Sequence, residues 1–392
     1  MKKTFTSALI TGTLASSLLL GGIDATKYEG ATIEQKQFTV ESEQISVKQE
    51  GSVVEANLPW KGEQGLTIKY DLNPSALEKI TDTMSREVIV EKTSFGNKEA
   101  LKIDILLKAK PDTNRFCYTI DGYENYEFLY QDPAKITDVE LVAPELLGSY
   151  AVYHKTLRHH KEGGVNYETG KVAHIPYPYI WEIGKEDQKV RAENFTYSEG
   201  QLCVTAPQDF LDKADYTNGV RIDPTLGVTT IGALSLAQPG QDFYAQKATA
   251  TEDGTVTAIN TWAQDGAPDS VKGVLVTFSD LTIVANGVGP GAAVSTTAPP
   301  PSPTASTYSS SPTITNGVTY LIGEVNSSAL GALYYDVDIA ETGFIDGSNN
   351  YTTPTSPTDG AGSLNRFSIY MDYTVSGGGV APAQDDEVII FE

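Results

Sequence analysis

Short runs of alternating apolar and polar residues fill the first part of the chain, from about Thr26 to Thr225. In Leu101-Lys102-Ile103-Asp104-Ile105-Leu106-Leu107-Lys108 the alternation sets Leu101, Ile103, Ile105 and Leu107 on one face, the period of a half-buried strand. Further strands are predicted at 66–72, 87–93, 126–130, 138–143, 150–156, 193–197 and 219–222, separated by clusters of Gly, Pro, Asn and Asp at the spacing of a sandwich. Two stretches read as helical: 75–86, entered through Pro74, and 207–212. The later part repeats the alternation at 255–262, 273–278, 317–325 and 366–373, which predicts strands in a two-sheet stack.

After Asp223-Pro224-Thr225-Leu226-Gly227 the composition shifts to Gly, Thr, Ser and Ala, and 392 residues exceed one ordinary domain, so a boundary is expected there. Charge divides the same way. Residues 226–392 hold 3 basic and 17 acidic residues, net −14, leaving 25 basic and 34 acidic, net −9, in 1–225. No charge occurs between Asp280 and Glu324, and Ala298-Pro299-Pro300-Pro301-Ser302-Pro303 has the composition of a linker. A linker there would leave 318–374 to build a core from fewer than sixty residues. The stretch therefore reads as a long proline-bearing loop within one sandwich.

The net charge of −23 argues against partners held through phosphates, so neither nucleic acid nor an anionic membrane is expected. With 40% hydrophobic residues and 21 Tyr, the chain has the means to bury cores. Met1-Lys2-Lys3, followed by an uncharged stretch ending in Leu18-Leu19-Leu20-Gly21-Gly22, has the form of a secretory signal cut after Gly22 or Ala25; a retained amino-terminal arm is the alternative. No other segment is long and apolar enough to cross a bilayer. Export suits a bridge between the two cysteines, Cys117 and Cys203, although each sits in a strand-like run where a buried free thiol is equally at home. The chain ends in a Gly-rich spacer, three acidic residues and then Val388, Ile389, Ile390 and Phe391. That apolar tip suits addition to a neighbour's open sheet edge, a last strand of its own domain, or a frayed end.

Two stretches carry a family likeness. Residues 149–227 resemble a β-rich module of uncharacterised surface and phage-like structural proteins. The likeness lies in Ser149-Tyr150-Ala151-Val152-Tyr153-His154-Lys155-Thr156, Thr169-Gly170-Lys171-Val172-Ala173-His174-Ile175, the turn at 207–211 and Ile222-Asp223-Pro224-Thr225-Leu226-Gly227. In that family the module precedes a lectin-like, carbohydrate-binding-like jelly roll. Residues 241–374 resemble one through Asp253-Gly254-Thr255-Val256-Thr257-Ala258-Ile259, Gly317-Val318-Thr319-Tyr320-Leu321-Ile322 and Ser368-Ile369-Tyr370-Met371-Asp372-Tyr373-Thr374. The uncharged insert 285–316 departs from the pattern. The fold expected is all-β: two or three β-sandwich or jelly-roll domains in tandem. A signal or arm occupies 1–25, a sandwich region 26–227, a jelly roll 228–375 and a flexible tail 376–392. The resemblance implies structural residues and brings no catalytic ones.

All four histidines, 154, 159, 160 and 174, fall within twenty-one residues, but their spacing matches no zinc signature and Lys and Arg surround His159-His160; no metal site is assigned. Tyr334-Tyr335-Asp336-Val337-Asp338 and Asp346-Gly347-Ser348-Asn349-Asn350-Tyr351 combine rings, carboxylates and amides. With Trp262 they suit a shallow glycan site: Trp262, Tyr334 and Tyr335 as platforms, Asp336, Asp338, Asp346 and Asn349 as grips. The same oxygens suit Ca²⁺, and core packing with turn formation accounts for them equally. No nucleophile elbow, phosphate loop or metalloprotease motif is present, and no acidic pair stands out for a polysaccharide hydrolase. The expectation is a non-enzymatic structural protein of a cell surface, pilus-like fibre or virion, self-associating through sheet edges and terminal arms. The alternative is a secreted adhesin that binds surface glycans.

Overall fold

The computed structural model describes residues 26–28, 37–41, 46–50, 53–71, 84–92 and 99–376, apart from 137–138, 160, 163–164, 224, 229–230, 239, 266–268, 299, 301, 329, 348 and 359. These residues form an all-β protein of six open sheets, with one α-helix, Gln208–Lys213, and short 3-10 turns. Segment 1–25, residues 75–83 of the expected first helix, His160 and the tail with Val388, Ile389, Ile390 and Phe391 lie outside the described residues.

In the first half, a seven-stranded antiparallel sheet runs from Asn194–Ser198 through Gln201–Thr205, Arg115–Asp121, Glu63–Asp71, Val53–Trp60 and Ser46–Glu50 to Gln37–Glu41. Two of its hairpins close through Lys61-Gly62 (φ 49° and 78°) and Glu199-Gly200 (φ 46° and 77°). Positive φ at both central residues is what a two-residue type I′ turn requires, and glycine supplies the second at no steric cost. A ten-stranded sheet is built around Glu99–Leu107 and extends through Lys171–Ile175 and Tyr150–His154 to Tyr126–Tyr130. Leu58, Leu66 and Ile68 from the first sheet meet Ile105, Val152 and Ile222 from the second in one buried core. Along Arg115–Asp121, Phe116, Tyr118 and Ile120 are buried and alternate with more exposed neighbours, the period-two pattern of a sheet with one face on a core.

Three local expectations are corrected. Of the strand expected at 138–143, the described residues 139–143 do not form one. Val139–Leu141 and Pro144–Leu146 are 3-10 turns, because Pro144 breaks any ladder and the apolar residues of this stretch serve another purpose, described below. Met84 to Arg86 open the strand Met84–Lys92 rather than close a helix. Residues 285–316 are not one long loop. They contain most of the edge strand Thr282–Ala293 and the strands Thr304–Thr307 and Thr313–Ile314. Uncharged hydroxyls anchor this stretch: Ser306 donates to the Pro290 carbonyl at 2.7 Å, and Tyr308 donates to the carbonyls of Gly273 and Gly287 at 3.3 Å.

From Leu234 onward most connections between successive described strands pass from one layer to the other, as in the winding of a jelly roll. One layer is the six-stranded sheet Thr282–Ala293, Ser270–Thr277, Thr319–Asn326, Phe243–Thr249, Gly343–Asp346 and Ala361–Ser363. The other consists of two four-stranded sheets, which meet at a three-way junction: Trp262 N–H donates to the Ser368 carbonyl (3.0 Å), Ser368 N–H to Tyr334 (2.8 Å), and Tyr334 N–H back to Trp262 (3.1 Å). Val256, Ile259, Leu275, Ile322, Leu333 and Phe367 fill the space between the layers. The opposite face of the six-stranded sheet buries Phe243, Val276, Leu321 and Phe344, so Thr319–Asn326 is buried on both sides.

No sheet of the described residues mixes strands ending by Val228 with strands starting from Leu234. Packing nevertheless joins the two halves. Ile136 and Leu146, from the 3-10 segment of the first half, are buried in the core of the second, with Val139, Val142 and Leu147 against it.

Candidate functional site

The strand Leu330–Val337 lies inside its sheet, paired with Leu234–Gln238 on one side and with Ala263–Gln264 and Asn365–Phe367 on the other. Side chains alternate along it. Tyr335 faces the jelly-roll core, and Asp336 faces the first half of the chain, which covers that side; both are fully buried. Trp262 and Tyr334 are buried in a small cluster with Ile231, Ala332 and Tyr370 at the three-way junction. Asp338 binds Arg366, Asp346 accepts the Thr358 N–H at 3.2 Å, and Asn349 folds its own loop by bonding both the N–H and the carbonyl of Thr355. The seven residues assigned to a shallow glycan or calcium site are therefore buried and spread over separate neighbourhoods, an arrangement that matches the core packing and turn formation also open to them. Asp336 is covered because the first half of the chain lies on the outer face of its strand, which no local pattern reveals.

A buried polar cluster fastens the two halves together. Lys171 Nζ lies 2.6 Å from Asp336 Oδ2, with both side chains shut off from solvent. Tyr153 donates its hydroxyl to the same oxygen at 2.6 Å, and Ala233 N–H donates to Oδ1 at 3.0 Å. His174 Nδ1 lies 3.3 Å from Lys171 Nζ, while Nε2 lies 2.8 Å from Ser149 Oγ. Burial, then the Lys171 charge, lowers the imidazole pKa to about 3, so His174 is neutral. Burial likewise pulls the Lys171 pKa below its ordinary value, against the pull of Asp336, and burial with the Asp336 charge pushes that of Tyr153 well up.

The arrangement of Ser149, His174 and Asp336 has the outline of a nucleophile, base and acid, but the hydrogens run the other way. Ser149 Oγ donates to the Leu146 carbonyl at 2.6 Å, so its single proton is committed there. The network then assigns the imidazole proton to Nε2, which donates to Oγ, and leaves Nδ1 to accept from Lys171. A base that donates to the serine does not activate it, and the serine is fully buried.

Beside this cluster, Arg366 places Nε 2.8 Å from Asp338 Oδ2, and its Nη2 reaches both Asp338 (2.6 Å) and Glu127 of the first half (3.3 Å). Arg158 Nη1 holds the same Glu127 oxygen at 2.7 Å, and the Arg366 guanidinium lies 4.6 Å above the Tyr153 ring. Burial works against ionised Asp338, but Arg366 and the bonds from Thr342 and Ala340 outweigh it and hold the carboxyl below its usual range. Gln131 imitates a strand neighbour: its Oε1 accepts the Val337 N–H at 2.8 Å and its Nε2 donates to the Val337 carbonyl at 3.1 Å.

The described histidines serve structural roles. His154 stacks on Trp60 at 5.2 Å and accepts the N–H of Leu157 at Nδ1 (3.0 Å); His159 Nδ1 lies 3.0 Å from the Ile369 carbonyl. Cys117 and Cys203, directly opposed on neighbouring strands, are joined by a disulfide. Among the described residues no three His, Cys, Asp or Glu side chains converge as a metal-holding group, and no helix is long and apolar enough to cross a membrane. Sequence patterns did not single out Lys171, Tyr153, Gln131 or Arg366. A signal existed for two of them: Lys171 interrupts an otherwise strand-like run, and Arg366 is one of three basic residues after 225. The chain matches no protein-family model and no curated protein.

Proposed function

We propose that the protein is a non-enzymatic structural component of an extracellular surface, fibre or virion that self-associates through sheet edges and terminal arms. The observation carrying this reading is the twelve-residue strand Thr282–Ala293. It has no charged side chain and, among the described residues, pairs along one side with Ser270–Thr277 while its other side continues no sheet. Edge strands of monomeric proteins are usually short, charged or covered, because an open row of N–H and C=O groups invites pairing. Pro290 limits how far along the strand a partner can zip. The disulfide supports an oxidising compartment. The polar groups within the fold also suit a body that must resist being pulled apart, since they tie one sandwich to the other. The residues on which the glycan-binding alternative rests are buried, which leaves that alternative without its contact surface.

Sedimentation and negative-stain imaging of the full chain test the proposal. Concentration-dependent oligomers or filaments are expected, and Val288→Lys, at a partly exposed position of the edge strand, is expected to weaken them while leaving the circular dichroism spectrum unchanged. A monodisperse monomer at high concentration would count decisively against assembly.

A further inference from the structure

The Lys171 to Asp336 contact has more around it than an ion pair needs. The amine lies at hydrogen-bonding distance from the carboxylate in a compartment that excludes water, 165 residues apart in sequence and on opposite halves of the molecule. Each atom that an amide condensation would have to manage already has a partner. Asp336 Oδ1, where negative charge would develop, accepts the Ala233 N–H. Asp336 Oδ2, the oxygen that would leave, accepts the Tyr153 hydroxyl. His174 Nδ1, with its lone pair free by the tautomer argued above, faces Nζ. In such surroundings burial works against the Lys171 ammonium and favours the neutral amine that attack on the carboxyl carbon requires.

We propose that Lys171 and Asp336 join in an intramolecular isopeptide bond, formed by the chain's own residues. A first proton passes from Nζ to Oδ2, giving amine and carboxylic acid. The Nζ lone pair attacks Cγ, and Ala233 N–H holds the charge that builds on Oδ1. His174 Nδ1 takes a second proton from Nζ and releases it to the departing hydroxyl, which Tyr153 holds by its hydrogen bond. The Cγ–Oδ2 bond breaks and water leaves. The ammonium loses two protons, the leaving oxygen gains both, and no oxidant or other reagent enters. The product is a covalent link between the two sandwiches, independent of whether the protein assembles.

Peptide mass spectrometry of the full chain tests for the bond directly. After denaturation, reduction, alkylation and digestion with trypsin plus chymotrypsin, the expected product is a branched peptide containing Lys171 and Asp336, lighter by one water than the two linear peptides together. Lys171→Arg and Asp336→Ala are expected to lose it. Following the linked fraction after refolding, His174→Ala and Tyr153→Phe are expected to slow its appearance at least tenfold. The wild-type digest shows the bond present or absent even if a variant fails to fold. Recovery of Lys171 wholly as a free amine, modified by an amine-reactive reagent after denaturation, would overturn the proposal.

Discussion

Two buried carboxyl groups in the same half of the chain meet different fates. Asp336, on the outer face of its strand, is met by a lysine, a phenol and a backbone N–H from other segments. Glu324, near the end of Thr319–Asn326, is equally buried and faces the Gln238 amide at 2.9 Å, with the acidic groups of Asp269 and Asp242 nearby. A charge taken out of water must be paired or given up. Asp336 shows the first solution and Glu324 the second, since burial, then Asp269 and Asp242, drives its pKa up to about 8 against the Gln238 hydrogen bond. The cation was available to Asp336 because the first half of the chain, with 25 basic residues, lies against it; the second half has 3.

Removing one partner from the paired site should show the largest effect. Lys171→Ala removes the link to Asp336 and leaves that carboxyl buried without its cation, and is expected to cost about 3–5 kcal/mol or more in urea unfolding; the double replacement Lys171→Met with Asp336→Leu also loses the link but strands no charge, and is expected to cost less than either single change. If the double variant were no better than the singles, the cluster would matter for packing rather than for charge. A smaller effect is expected at Gln131, which contributes hydrogen bonds without charge. Gln131→Ala strands the N–H and carbonyl of Val337 and should lower stability by about 1–3 kcal/mol, whereas Gln131→Glu, which can accept from the N–H but not donate to the carbonyl, should restore little. Hydrogen exchange at Val337 that stays as slow in Gln131→Ala as in the wild type would contradict this role.

These contrasts also explain how much the sequence made legible. Alternation reads truly along Arg115–Asp121, where Phe116, Tyr118 and Ile120 are buried on one face, and along the start of Gly254–Thr261, where buried Gly254, Val256 and Ala258 alternate with half-buried threonines. The same rule fails for Tyr334-Tyr335-Asp336-Val337-Asp338, whose composition reads as a loop-rich region. Asp336 breaks the apolar pattern of a strand buried on both faces, and the pattern cannot show that a lysine 165 residues away compensates it. The 138–143 stretch fails for the converse reason. Its Val139 and Val142 pack, half-buried, against the core of the neighbouring sandwich, carried there by 3-10 turns rather than along a strand. A site made where two halves meet leaves no local period to find.

The last test separates the two carboxyl fates by pH. Among the described residues, Glu324 Oε2 and Gln238 Oε1 are both buried acceptors without a donor, and a proton on Glu324 is the kind of donor both lack. With a folded pKa of about 8 against an ordinary 4.5, the acid's contribution is fully present below 4.5 and is lost as pH rises through 8. Within that window it should weaken the fold by about 1.4 kcal/mol for each pH unit, then level off. Asp104, raised to about 8 by burial and by Asp223 against Arg221, titrates in the same range, so the informative quantity is the difference between wild type and Glu324→Gln. The glutamine can still donate to and accept from Gln238 but cannot ionise. Its unfolding midpoint should therefore gain on the wild type as pH climbs from 5 to 8, and identical pH slopes for the two proteins would show that Glu324 is ionised in the fold.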